Sequence, residues 1–390
     1  MSTLERRKCL RIFTLTSLIA AALSGMGCAP GKPSQTEMSS LDFGLSTPTP
    51  TPTSTPAPTA TPTQPSSGRV ISVGAGKQYA TLKAAVTAAL AGDTIEVQAG
   101  TYTNDYPPLI NKNLTIKGVG GKVHFNSTIA VPNRKGIFDV AANVTLLNLE
   151  ISGAFISNGD GANGAAVRYE GGNLVIDNCN IHHNQNGVMG TGSGSITIKN
   201  SQFVSNGVSD SVNFPEGYGY THGVYVNATQ LTVSRSYFFS QNVGHHIKSR
   251  SANNLIDNNV IVDGANGSAS YDVEFPNGGT AIVQNNLIQK GPKAGNSRFV
   301  SFGAEGALLS SSSLKVSGNL FINEKSNSVA IQNASNITAT ISNNKFYGLS
   351  SAQLVSGPNS ISGSVILTSP PYAASFWSVA VPSPWPGQGG

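Results

Sequence analysis

The sequence predicts an all-β chain, folded as a single-stranded right-handed parallel β-helix with an N-terminal capping helix. Three observations predict it. An eight-residue phrase recurs at a variable interval of 22 to 35 residues. Within each copy apolar and polar residues alternate. One position of the phrase holds small polar residues in copy after copy. A variable period in this range, with one strand-like phrase per repeat, marks a solenoid whose copies bury their apolar sides only by stacking.

The phrase is fullest at Leu174-Val175-Ile176-Asp177-Asn178-Cys179-Asn180-Ile181 and recurs at Ile196, Leu231, Asn254, Ala281, Leu314 and Ala339, with a looser copy at Val144. Its first, third and eighth positions are mostly apolar, and its second and fourth mostly polar. That is the period of a strand with one face inward. The sixth position reads Leu149, Cys179, Ser201, Ser236, Asn259, Asn286, Asn319 and Asn344. Stacked Asn side chains there predict an internal hydrogen-bonded ladder. A second strand upstream in each coil places Val167, Val188, Val224, Ile247, Val273, Val300 and Ala330 at equivalent apolar positions.

Residues 1–28 read as an export leader. A basic start is followed by the apolar run Ile12 to Leu23, which is short for a membrane span. Gly25-Met26-Gly27-Cys28 resembles a bacterial lipobox, with Gly25 where Leu is usual, and this implies lipidation at Cys28. Nothing at Ala29 signals inner-membrane retention. The expected location is the bacterial cell envelope, on the outer membrane, with plain secretion as the alternative. Residues 29–67 form a tether, nearly all Thr and Pro from Thr47 to Pro65, and extended for want of anything to bury.

The domain spans 68–390. Val70 to Val73 is a strand, Thr81 to Ala91 an amphipathic helix that covers the open end of the solenoid, and Thr94 to Val97 a strand before a loop at Gly100-Thr101-Tyr102. Coils run from Leu114. A long insertion, Val208 to Tyr220, forms a wall, and the Pro-rich tail 366–390, with Phe376, Trp377 and Trp385, forms a C-terminal cover.

Only 11% of the 390 residues are charged, 43 are glycine, and the formal charge of +5 comes partly from the leader. No basic tract interrupts the repeats, which excludes a nucleic-acid partner. The domain is expected to be monomeric. Of the three cysteines, Cys179 reads as a small buried side chain of the ladder, and no metal-ligand spacing is found.

Tyr79-Ala80-Thr81-Leu82, Ala89, Gly92-Asp93-Thr94-Ile95 and Gly100-Thr101-Tyr102 resemble the opening segment of the pectate-lyase superfamily of β-helix proteins. The eight-residue phrases resemble its coils, to about residue 350. This superfold hosts lyases, hydrolases, epimerases, esterases and non-catalytic adhesins, so the resemblance bears on fold more than on chemistry. The segments Gly244 to Arg250, Ala269 to Gly279 and Gly303 to Gly306 also resemble a set of bacterial β-helix lipoproteins to which no reaction is assigned.

Chemistry concentrates in the strand after the insertion and in the next two coils. Aligned by apolar positions, Val224, Ile247 and Val273 point inward. Tyr225, Lys248 and Glu274 then form one outward ladder, and Gly223, His246 and Asp272 the next, with Asn227 and Arg250 beside them. His222, His245 and Tyr271 flank the strand starts, and Glu305 follows one coil later. Acid–base chemistry on an acidic polysaccharide needs a cation to neutralise a uronate carboxylate, a base and an acid. The fork of Arg250 suits the first role. Lys248 or His246 is the candidate base, and Tyr225 the candidate acid or both acid and base. A carboxylate beside Lys248 would raise its pKa and oppose its use as a base. Asn227, Asp272, Glu274, Glu305 and His222 are the candidate substrate-binding residues, although His222 and His245 carry the parity of buried histidines. Arg168 and Met189 read as plain surface and strand.

The resemblance adds contrasts. Superfamily lyases that use a Lys and an Arg commonly take them from different coils, whereas Lys248 and Arg250 share a strand. No Asp cluster supports calcium, so no cofactor is expected, and Asp257, Asp263 and Asp272 do not reproduce the Asp trio of the hydrolases. Two readings follow: an envelope-anchored lyase or epimerase acting on a uronate-containing glycan, or a non-catalytic glycan-binding surface protein. Outward Lys–Glu and His–Asp pairs also suit a plain cross-strand salt-bridge network. A groove beneath Lys248 and Arg250 favours the enzyme, and a flat face favours the binding protein.

Overall fold

The computed structural model describes residues 68–207 and 221–371. The leader with Cys28, the tether, the insertion 208–220 and the tail from 372 onward lie outside the described residues. Within them the strands run parallel, coil upon coil, as two sheets of 21 and nine strands. Leu114, Val144, Leu174, Ile196, Leu231, Asn254, Ala281 and Leu314 are successive Cα partners. The phrases therefore stack in the register their alternation requires.

Each phrase bends between two rows of the larger sheet. The residue at its fifth position adopts positive φ in coil after coil, from 47° at Arg235 to 69° at Gly318. Asn and Gly tolerate that conformation. The sixth residue then turns inside. Asn259 N–H and Nδ2 both donate to Asn286 Oδ1, at 2.8 and 3.0 Å. Asn286 does the same to Asn319, and Asn319 to Asn344. The ladder continues upstream through Ser236, Ser201 and Cys179. Burial pushes the Cys179 thiol up to about 12, which keeps it protonated as a small core side chain. Beside the ladder the aromatics stack across coils. Phe203 lies on Phe238 at 4.7 Å between ring centroids, and Phe321 on Phe346 at 5.1 Å.

The nine-stranded sheet contributes one strand per coil, from Gly136–Val140 to Val355–Ser356. Val167, Val188, Val224, Ile247, Val273 and Val300 are successive partners in it. The next partner is Ile331, not Ala330. Both are buried, so the apolar pattern alone leaves a one-residue ambiguity there.

The helix covers Leu82–Ala88 and is shorter than the apolar pattern predicts. Thr81 caps it by accepting from Ala84 N–H, and the Asp105 carboxylate accepts from Leu82 and Lys83 N–H. It ends early because Asp93 accepts from Leu90 N–H at 2.7 Å and draws the chain into the turn. Leu82, Ala85 and Val86 are buried against the first coil. The strand that follows runs Thr94–Thr103, past the loop expected at Gly100, with a register shift between Gln98 and Gly100 that absorbs the glycine. The repeats also outlast the boundary expected at residue 366, because Asn359–Ser362 and Val365–Leu367 form one more coil. Ile361, Val365 and Ile366 are exposed there, so the inward pattern is weak.

Candidate functional site

The short strands Val224–Asn227, Ile247–Ser249 and Val273–Phe275 lie side by side in the nine-stranded sheet. Tyr225 pairs with Lys248 in register, and Lys248 with Glu274. Lys248 Nζ lies 2.9 Å from Glu274 Oε2 and 2.5 Å from Glu305 Oε1. Arg250 reaches the other Glu305 oxygen, donates from Nε to the Tyr225 hydroxyl at 3.0 Å and bonds Asn277. Both cations lie near the tyrosine ring, Lys248 Nζ at 5.5 Å and Arg250 Cζ at 5.8 Å from its centroid. One phenol thus stands between two cations, and one carboxylate joins both cations.

Electrostatics fix most of these charges. Burial opposes the charge on Lys248, but Glu305 and Glu274 outweigh it and hold its pKa above the ordinary lysine value. Burial likewise opposes Glu305, and Lys248 and Arg250 draw its carboxyl below the usual range. Lys248 is therefore a fixed ammonium and no base.

His246 and Asp272 depart from the expected outward ladder. His246 is 1% exposed and donates from Nε2 to Asp263 at 3.0 Å, inside the solenoid and edge-on to Phe238. Asp272 is fully buried, 3.0 Å from Lys290 Nζ. Neither can act as a catalytic base or touch a glycan. The alternation fails because both residues precede their strands, which begin at Ile247 and Val273. Val243 and Gly244, at φ 56° and 57°, also turn the backbone just before His246.

The same turn brings His222 and His245 to the site instead. The His222 ring packs edge-on to Tyr225, with centroids 4.9 Å apart. His222 Nδ1 accepts from the His245 backbone N–H at 3.0 Å, so that nitrogen carries no proton. His245 Nε2 lies 2.9 Å from Glu274 Oε2. Burial, reinforced by neighbouring cations, holds both imidazoles well below the ordinary histidine pKa, and both are neutral. Glu274 is 1% exposed and lies beneath Lys248, where it orients the lysine and is shielded from a ligand.

A groove of about 360 Å³ runs along the sheet past Tyr225, Asn227 and Arg250 to Arg168 and Met189. Arg168 and Met189, read from the sequence as plain surface, belong to its wall. The Arg168 guanidinium donates to the Asn163 carbonyl at 2.8 Å, while its buried Nε has no hydrogen-bond partner among the described residues. Arg168 and Lys248 stand on one ladder, joined through Met189 and Tyr225. They are three strand spacings apart, ~14 Å at ~4.8 Å each. The wall of Tyr225 and Arg250 is open to solvent, whereas Lys248 lies beneath Glu305.

Residues 114–261 match a family model described as a right handed beta helix region. An alginate lyase from Paenibacillus sp. str. FPU-7 superposes with a TM-score of 0.58 at 16% identity, covering 75% of this chain and 99% of that one. A protein of Geobacillus virus E2 gives 0.44 at 16% identity over 70% and 52% of the two chains. A pectate lyase gives 0.37 at 16% identity over 80% and 82%. No curated protein matches the chain in sequence. Stacked parallel coils, the ladder, the family match and the alginate-lyase superposition make the described domain a right-handed parallel β-helix.

Proposed function

We propose that this protein is a polysaccharide lyase acting on a uronate-containing glycan, with Tyr225 as the proton-transferring group. The carrying observation is the Tyr225 hydroxyl held at 3.0 Å by Arg250 beside a fixed Lys248 ammonium, in an open groove. The uronate carboxylate takes the place of Glu305 on Arg250 and Lys248, and its neutralisation makes the neighbouring C5–H acidic. The tyrosine oxygen accepts that proton as its own hydroxyl proton passes to the departing glycosidic oxygen. The C–H electron pair becomes the C4–C5 double bond, and the C4–O pair leaves with the glycosidic oxygen. One proton is taken up and one given, so the tyrosine ends as the phenol it began. With Lys248 held charged and His246 inside the core, Tyr225 is left in both roles. Arg168 and Asn227 bind neighbouring sugars along the groove.

The export leader and a lipidated Cys28 would carry the domain to the outer membrane, with the Thr/Pro tether as its stalk. Labelled palmitate should enter the wild-type chain in a bacterial host and not Cys28→Ala. Equal labelling of both removes the anchor from this reading.

The lyase is tested with alginate, polygalacturonate, hyaluronan, chondroitin and heparan, reading the ultraviolet absorbance of the unsaturated uronate. Absorbance growing on at least one polymer is expected. Binding without product on all five would leave the glycan-binding reading in its place. Glu305→Gln checks the displacement step. The Glu305 side chain is 40% exposed, so its ion pairs are worth about 1 kcal/mol at most. Their loss should lower KM by up to about fivefold with kcat little changed. A raised KM would show that Glu305 binds substrate.

A further inference from the structure

The chain has six histidines, and three of them lie in or under the site above. Of the other three, His124 and His182 stand on the larger sheet, away from the strand row that bears the groove, and His183 follows in the turn. His124 belongs to the strand Leu114–Asn126, Glu150 to Glu150–Ser152 and His182 to Asn180–His182. These strands come from three successive coils and pair in register, His124 with Glu150 and Ser152 with His182.

Their donor atoms converge. His182 Nε2 lies 3.0 Å and His124 Nε2 3.7 Å from Glu150 Oε1, and one ligand atom from each of the three falls within 4.8 Å of the others. A tetrahedral zinc shell with bonds of about 2.0–2.2 Å separates its ligand atoms by about 3.4 Å, between the two observed values. All three side chains are partly exposed, from 10% at Glu150 to 19% at His182, so an ion can reach them.

The surroundings hold the ligands in place. Lys122 Nζ takes the other Glu150 oxygen at 2.6 Å, leaving Oε1 to the cluster. His182 Nδ1 lies 2.8 Å from His183 Nδ1, and such a partner on the far ring nitrogen orients a metal-bound imidazole. His124 Nε2 rests on Ser152 Oγ at 2.7 Å and would exchange this contact for the metal. Two imidazoles with one carboxylate suit zinc and its neighbours, whereas calcium and magnesium need all-oxygen shells.

We infer that His124, Glu150 and His182 form a three-ligand site for a divalent transition ion of the zinc class, which clips three successive coils together. The fourth position falls to water or to an exogenous ligand. The site lies apart from the groove and stands whether or not the lyase reading does.

The test uses the full chain, freed of metal by a chelator and then dialysed. Zinc chloride should bind with a stoichiometry of one by calorimetry. At a hundredfold excess over Kd it should raise the melting midpoint by about 5–10 °C. The double variant His124→Ala/His182→Ala should lose that shift, and calcium chloride should give none. Should the double variant fail to fold, cobalt(II) decides on the wild type and Glu150→Gln. The wild type should develop visible d–d bands of a four-coordinate ion that one equivalent of zinc abolishes, and Glu150→Gln should weaken them. No zinc shift in the wild type, an equal shift with calcium, or unchanged binding in the variants would overturn the site.

Discussion

Tyr225→Phe should lower the rate of unsaturated-uronate release about 10²- to 10⁴-fold, the range over which one positioned acid–base group acts. The substitution removes one oxygen and keeps the ring. The edge contact with His222 and the approaches of Lys248 and Arg250 to the ring face therefore survive, and so should polymer affinity and the melting midpoint. The expected pattern is a fall in kcat with KM almost unchanged, the sign of an interaction made in the transition state. Arg250→Ala should differ. It removes the fork that neutralises the carboxylate and the bond to the tyrosine oxygen, so KM rises while kcat falls. Activity retained by Tyr225→Phe would pass the proton transfer to His222, which is neutral and touches the same ring.

The sequence carries the coil architecture because the same local physics repeats. Asn259, Asn286, Asn319 and Asn344 occupy one turn position, and each can satisfy its neighbour's amide only if the coils stack in register. The pairings of Tyr225, Lys248 and Glu274 follow from the alternation inside short strands. Beyond a strand's first residue that logic stops. His246 and Asp272 each sit one position outside, where turn dihedrals set the side-chain direction, and both face inward against the extrapolated parity. The same extrapolation missed the packing of His222 on Tyr225 and of His245 on Glu274. Contacts between distant coils were the least visible. Glu305 reaches Arg250 across 55 residues of sequence, and the cluster of His124, Glu150 and His182 spans coils of unequal length. A search for ionisable residues at equivalent or adjacent ladder positions in consecutive coils would have found that cluster.

The inward turn of His246 and Asp272 places a fully buried charged cluster inside the solenoid. Lys290 is fully buried, with Nζ 3.0 Å from Asp272, 3.6 Å from Asp263 and 2.8 Å from the Ser270 carbonyl. Burial pushes the Asp263 carboxyl up, but Lys290 and His246 outweigh it and hold it low, while burial drives Asp272 well above the usual carboxylate range. Lys290 thus faces two carboxyls that the surroundings drive in opposite directions, Asp263 low and Asp272 high. Lys290→Met leaves the Asp263 carboxylate buried without its counter-charge and should cost about 3–5 kcal/mol. Asp272→Asn removes a carboxyl whose charge burial already opposes and should cost far less. The pH dependence has a definite sign. A carboxyl whose folded pKa lies above its unfolded value contributes stability below the unfolded pKa and loses it as pH rises through the folded one. Asp272→Asn should therefore gain on the wild type as pH rises, in urea melts at several pH values. A Lys290→Met protein with a wild-type midpoint would refute the charge assignment. The consequence reaches the groove, because His246 and Asp272 immediately precede the strands that carry Lys248 and Glu274. Loss of the buried lysine should loosen both strand starts and lower activity before the protein unfolds.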